Sequence, residues 1–409
     1  MKKLSTLIIL LAVFSLHADN LPLSTFSLKN YDQHIMDWHF TNNHPLLSPA
    51  QERSEFINYK SHYNGILSPW SAAFIYNEIH PQAGSTIYEN EIQLLSAYNN
   101  IDRQKAGDLR HIGYGENFHS YTGNWLNNIK ANIPLQTLGA LQYKLTQRAI
   151  ATTNLEARVL PTTDPDYYHY SYVGEGYPFD NLQMSSLWVG TPLYVFAESK
   201  DHIWALVSTP AFIAWVKTTG IAYVSPQFIR DWNSDVRKGL NAIVKTKTGV
   251  FFKGDLIATA YVGTVLPSYR ASSHAYDFPV RNPRTGQARI IRVTLSQKTI
   301  TLPYQATQKH IANIMKTLIN RPYGWGGMYF YSDCSQELKD LFTPFAIWLP
   351  RHSSAQVIPI TQDLSDISGD KILSYLKSNI FTPFMSIVYI GGHVILLLGN
   401  HANPLHHDV

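Results

Sequence analysis

Cys334 is the single cysteine in 409 residues, and it stands in RPYGWGGMYFYSDCSQELKDLF, where a run rich in glycine and aromatic residues gives way to an amphipathic helix. A thiol at a helix start meets unpaired N–H groups and the positive end of the helix dipole, both of which favour the thiolate. Thiol pKa values in such places fall to roughly 3.5–7.5 from about 8.5. The chemistry on offer is therefore acyl transfer through a covalent intermediate. That chemistry also needs an imidazole to carry the proton and a polar group to orient it. His393, which opens the apolar run HVILLLG after two glycines, is the candidate base. His406 and His407 follow on what reads as the next antiparallel strand. Adjacent strand residues point to opposite faces, so only one of the two can face His393, and the spacing does not choose. The structural alternatives are a small buried hydrophobe for Cys334 and a hydrogen-bonded framework histidine for His393.

The setting favours chemistry. Lys2 and Lys3 precede the apolar stretch Leu4–Leu16, which is too short for a permanent membrane span and has the pattern of a secretory signal peptide over residues 1–18. The expected location is periplasmic or secreted, with no permanent membrane anchor. Exported cysteines are usually paired into disulfides, so a lone thiol there invites a chemical explanation. Hydrophobic residues make up 45% and charged residues 15% of the chain, with a formal charge of +4. No Lys/Arg cluster interleaved with aromatics is present, which argues against a nucleic-acid partner. The 17 histidines include no HExxH, and His401, His406 and His407 lack a set of carboxylates or thiols, so neither a metal nor another cofactor is expected.

These residues need elements to position them. Residues 19–140 read as a mainly helical segment, with YENEIQLLSAYNN placing Ile92, Leu94, Leu95 and Tyr98 on one face. Residues 141–230 break into short apolar stretches between turn residues, the pattern of a small β-barrel, with Trp204 and Trp215 expected in its core. Residues 241–304 repeat that pattern, and PQFIRDWNSDVRKGLNAI connects the two. In residues 305–409, Ile311, Ile314, Met315, Leu318 and Ile319 form a helical stripe ended by Pro322. The paired glycines in Tyr323–Gly327 let the chain approach another element closely. Leu338, Leu341 and Phe342 continue the helix that Cys334 begins, and FMSIVYI and HVILLLG read as strands buried on both faces.

Taken in order, YGWGG, DCS, LPRHSSAQ and GHVILLLG resemble the NlpC/p60 family of cell-wall cysteine peptidases. TTNLEARVLPTTD, FDNLQMSSLWVGTPLYVF and AWVKTTGIAYVS resemble the first bacterial SH3-like domain of a multidomain branch of that family. The resemblance implies a multidomain chain: a helical N-terminal stabilising segment, two small SH3-like β-barrels and a papain-like α+β peptidase domain. It implies hydrolysis of the γ-D-glutamyl–diamino acid bond, as in diaminopimelate-containing peptidoglycan stem peptides or muropeptides with a free N-terminal L-Ala. Cys334 would be the nucleophile and His393 the base. His407, followed by Asp408, best matches the third position, with His406 the alternative. Tyr323, Asp333 and Ser335 would line the substrate pocket, Tyr323 and Asp333 holding the free amine. Asp333 is also placed to cap the helix. A non-catalytic wall-binding protein with an incomplete site, and an amidase or acyltransferase on the same Cys–His pair, are the other readings.

Overall fold

The computed structural model describes residues 40–172, 175–269, 274–358, 360, 362–378 and 381–399. The expected signal segment and His406 and His407 lie outside them. Thr41–Gly399 forms one unit. Its helices begin where the sequence supplies caps. α1 (Pro49–Tyr63) starts on Ser48 and Gln51, which cap each other reciprocally, with Pro49 in the first turn. α2 (Ala72–Ile79) is capped by Ser71, and α3 (Ile87–Ala97) by Thr86 with Glu89. α4 (Asn100–Lys105), α5 (Gly123–Asn132) and α6 (Leu135–Leu138) complete the helical segment.

A seven-stranded antiparallel sheet follows: β1 (Arg148–Ala151), β2 (Leu155–Arg158), β3 (Gln183–Leu187), β4 (Pro192–Glu198), β5 (Trp204–Ser208), β6 (Ile213–Lys217) and β7 (Ile221–Tyr223), in the order β3-β2-β6-β5-β4-β1-β7. Both faces are covered. Ala205, Val207, Ala214 and Val216 join one apolar cluster, whereas Trp204, Leu206 and Trp215 join another with Ile75, Ile87 and Leu95 of the helical segment. Both tryptophans are buried in core, as expected from the sequence, in the cluster that the sheet shares with the helices. They dock one face of the sheet on the helices, and Trp215 Nε1 donates to Glu91 Oε2 at 3.2 Å.

α7 (Pro226–Lys238) starts on Ser225 and buries Phe228, Trp232 and Val236. It leads to β8 (Leu240–Ile243), β9 (Thr248–Phe252), β10 (Asp255–Ala260), β11 (Val265–Pro267), β12 (Tyr276–Arg281), β13 (Ala288–Leu295) and β14 (Thr299–Thr301). These strands form a four-stranded sheet, β10-β9-β13-β12, and a three-stranded sheet, β11-β8-β14, around Val250, Leu266 and Phe278.

The remaining elements are α8 (Gln308–Met315), α9 (Cys334–Phe342), α10 (Ser353–Gln356), α11 (Gly369–Leu376) and the antiparallel hairpin β15 (Ser386–Ile390) and β16 (His393–Leu397). Two expectations are corrected. The helix expected to reach Ile319 stops at Met315, because Thr317 Oγ1 turns back to the carbonyls of Ile314 and Val244 and Asn320 is left-handed at φ 63°. The hairpin is not buried on both faces: Val394 is 3% exposed but Ile390 is 61% exposed. α9 packs on β16, and among the described residues each strand pairs only with the other. Among the described residues, no helix is long and apolar enough to cross a membrane.

Candidate active site

Cys334 opens α9, and the residue before it builds that helix end. Asp333 Oδ1 accepts the backbone N–H of Gln336 at 2.9 Å, the side-chain cap expected of an aspartate at this position. Its other oxygen, Oδ2, accepts from the Gly326 backbone N–H at 3.1 Å and from Arg351 Nη2 at 2.5 Å. With the Ser335 hydroxyl on Oδ1 at 3.2 Å, the carboxylate accepts four hydrogen bonds from within the chain. A carboxylate has about four such positions, so this one is filled.

Arg351 is 4% exposed and reaches both flanks of the thiol. Nη1 donates to Ser335 Oγ at 2.7 Å, and Nε donates to Ser185 Oγ of β3 at 2.7 Å. The Met184 carbonyl accepts from Nη2 at 3.0 Å. One guanidinium thus ties the residues before and after Cys334 to a strand of the seven-stranded sheet.

The same strand grips the glycine-rich turn. Gln183 Nε2 donates to the Gly326 carbonyl at 3.1 Å and Ser186 Oγ to the Gly327 carbonyl at 2.5 Å. Gly326 and Gly327 have φ of 58° and 74°, and a Cβ on either would strike the β3 backbone. The close approach anticipated for these glycines is to β3. Along α9, Gln336 Oε1 accepts from Ser185 Oγ at 3.0 Å, and Asp340 Oδ1 accepts from Trp188 Nε1 at 3.0 Å. Burial pushes the Asp340 carboxyl above its ordinary range, opposed by Lys339, Gln336 and Trp188.

Tyr323 forms a bridge with Ser332 and is half-exposed. Its phenol is pushed above the ordinary tyrosine value by burial first, then by Cys334 and Asp333, with the Cys334 backbone N–H opposing. Tyr323, Asp333 and Cys334 therefore share one locality, with the phenol kept protonated. Ser335 does not line an open pocket, as the sequence suggested: it is 4% exposed, its hydroxyl meets Arg351 and Asp333, and its carbonyl accepts from Gln356 Nε2 at 2.8 Å. His393 is exposed at the head of β16, the strand on which α9 packs.

A family model for an SH3 domain of the SH3b1 type matches residues 165–217, within the region of the seven-stranded sheet. A solved NlpC/P60 endopeptidase from Photobacterium damselae subsp. piscicida is 29% identical over 76% of this chain, with a TM-score of 0.64. Together these two matches support an NlpC/P60 protein with an SH3 domain. The chain spans 66% of that relative's length. Two further NlpC/P60 structures match more remotely, one from Bacillus cereus (16% identity, 51% of this chain and 76% of that one, TM-score 0.35) and NlpC2 from Trichomonas vaginalis (14%, 56% and 77%, TM-score 0.21). At those scores they carry no argument. No curated protein matches the chain.

The candidate site includes residues that the sequence did not single out. Arg351, Gln356 and His352 all sit in LPRHSSAQ, and Ser185 sits on β3. The His352 imidazole is held below the ordinary value by desolvation first and then by Arg351, with Asp333 opposing. The only signal was a cation, two serines and a glutamine in one short stretch; their target became visible with the fold.

Proposed function

We propose that the protein is an exported cysteine peptidase that cleaves the γ-D-glutamyl–diamino acid bond of peptidoglycan stem peptides carrying a free N-terminal L-Ala. The observation that carries this reading is the placement of Cys334 on a capped helix end, clamped to the SH3 sheet by Arg351, on a helix that packs against the strand opened by His393.

In this reading Cys334 Sγ attacks the scissile carbonyl and His393 takes the thiol proton, later returning it to the departing amine. His407 orients the imidazole, with His406 the alternative. The helix N-terminus faces the negative charge that develops on the carbonyl oxygen. Tyr323, held protonated beside the thiol, is a donor available to the substrate. Asp333 contributes mainly by fixing the helix end, since its acceptor positions are filled by Arg351, Gly326, Gln336 and Ser335. An ammonium ion would feel its field together with the opposing charge of Arg351. The SH3 domain forms one wall of the site, and residues 241–304 form a second SH3-like barrel.

The test is to incubate purified protein with L-Ala-γ-D-Glu-diaminopimelate and follow release of the diamino acid. Release is expected; absence of product, or cleavage at another bond, removes the proposed activity. Binding of wall fragments without turnover would instead favour the non-catalytic wall-binding reading.

A further inference from the structure

A cleft of about 580 Å³, whose lining includes none of the candidate site residues, opens where β2 and β6 part. The two strands share one paired position, Arg158 opposite Trp215. Two residues further along each strand, in antiparallel register and on the same side of the pleat, stand Glu156 and Lys217. Opposite charges placed this way ordinarily meet across a ladder. Here the strands have separated, and among the described residues neither side chain forms an ion pair. Both are exposed and both line the cleft.

The third wall is built at a conformational cost. Tyr329 and Phe330 from the glycine-rich turn line the cleft, and both adopt left-handed backbone, with φ of 57° and 59°. Two successive non-glycine residues in that region are held against steric strain. Burial of the Tyr329 ring does not offset this, because the residue is 70% exposed. Its backbone N–H donates to Glu156 Oε1 at 3.3 Å, and the Phe330 carbonyl accepts from Arg321 Nη2 at 2.9 Å. The chain thus holds an uncovered aromatic ring beside a carboxylate and an ammonium that form no ion pair among the described residues, the Lys217 ammonium standing 5.8 Å from the centre of the Trp204 ring.

A simple anion would meet Glu156 and a simple cation would meet Lys217. A ligand that satisfies both carries one charge of each sign close together, with an apolar stem for the aromatic wall. We propose that this cleft is a second peptide site, which takes the zwitterionic head of a short peptide: an ammonium and a carboxylate on one carbon, at the end of an aliphatic side chain. The volume lies within the range of small-ligand sites. Among wall peptides, such a head distinguishes diaminopimelate from lysine, which ends in an ammonium alone; that choice of peptide rests on the function proposed above, whereas the charge preference of the cleft does not.

The experiment uses the full chain carrying Cys334→Ala, so that peptide is not consumed, and calorimetric titration with L-Ala-γ-D-Glu-diaminopimelate and L-Ala-γ-D-Glu-Lys. The diaminopimelate peptide should bind at least about tenfold tighter. Lys217→Ala should abolish that preference, and Glu156→Gln, which keeps the acceptor for Tyr329, should weaken both peptides. Equal affinities in the parent, or a preference untouched by Lys217→Ala, overturn the proposal. Hydrolysis by the wild-type chain is scored separately: a charge preference without hydrolysis keeps the cleft and removes the peptidase reading, and hydrolysis without the preference does the reverse.

Discussion

Arg351 Nη2 lies 2.5 Å from Asp333 Oδ2, and the same guanidinium reaches Ser335 on the far side of the thiol and Ser185 on the SH3 sheet. The helix end that carries Cys334 is therefore tied to β3 of the seven-stranded sheet. Removing one partner of a buried ion pair leaves an uncompensated charge and typically costs about 3–5 kcal/mol. Arg351→Ala is expected to lose that much in urea unfolding. Arg351→Lys keeps the charge but not the planar fork, and should recover part of the stability while turnover stays depressed. Full turnover in Arg351→Lys would show that the charge alone suffices.

The turn before the thiol makes a second, independent prediction. A methyl group on Gly327 would come within 2.5 Å of the Ser186 backbone nitrogen, and one on Gly326 would strike the Gln183 carbonyl. Overpacking and a left-handed backbone add, so Gly326→Ala and Gly327→Ala should each destabilise by about 2 kcal/mol or more. Gly369→Ala, with nothing within 4 Å of the added carbon, is the control and should leave the melting temperature close to wild type.

Glu91 offers a pH test of the contact between the helical segment and the SH3 sheet. Burial raises its carboxyl to about 7, opposed by the hydrogen bond from Trp215. The folded pKa lies above the ordinary 4.5, so this group's contribution is fully present below pH 4.5 and is lost as pH rises through about 7. Glu91→Gln keeps an acceptor for Trp215 without the charge. It should stabilise the protein at pH 8 by on the order of 2–3 kcal/mol and change little at pH 4, as read from thermal unfolding at the two pH values.

Much of the site was legible because its signals are local. The helix opened by Cys334 follows from Leu338, Leu341 and Phe342 at helical spacing, all of them buried, and from Asp333 as its cap. The glycines of the turn announced a close approach but not its partner, since β3 lies far away in sequence and no local pattern encodes that pairing. Arg351 was invisible for the same reason: a lone arginine in a polar stretch has many possible targets. Trp204 and Trp215 were legible as core, but strands apolar on both faces do not say which face meets which layer, so their docking on the helices was not. The hairpin that carries His393 misled in the opposite direction, its apolar run predicting more cover than α9 gives it.

The central claim, that Cys334 is the nucleophile, has a direct test because the sequence contains one cysteine. The protein is treated with increasing iodoacetamide, and each sample is weighed by intact mass spectrometry and assayed for diamino acid release. Activity should fall in one-to-one proportion to the singly alkylated fraction. Fully alkylated protein that still hydrolyses the peptide would contradict it.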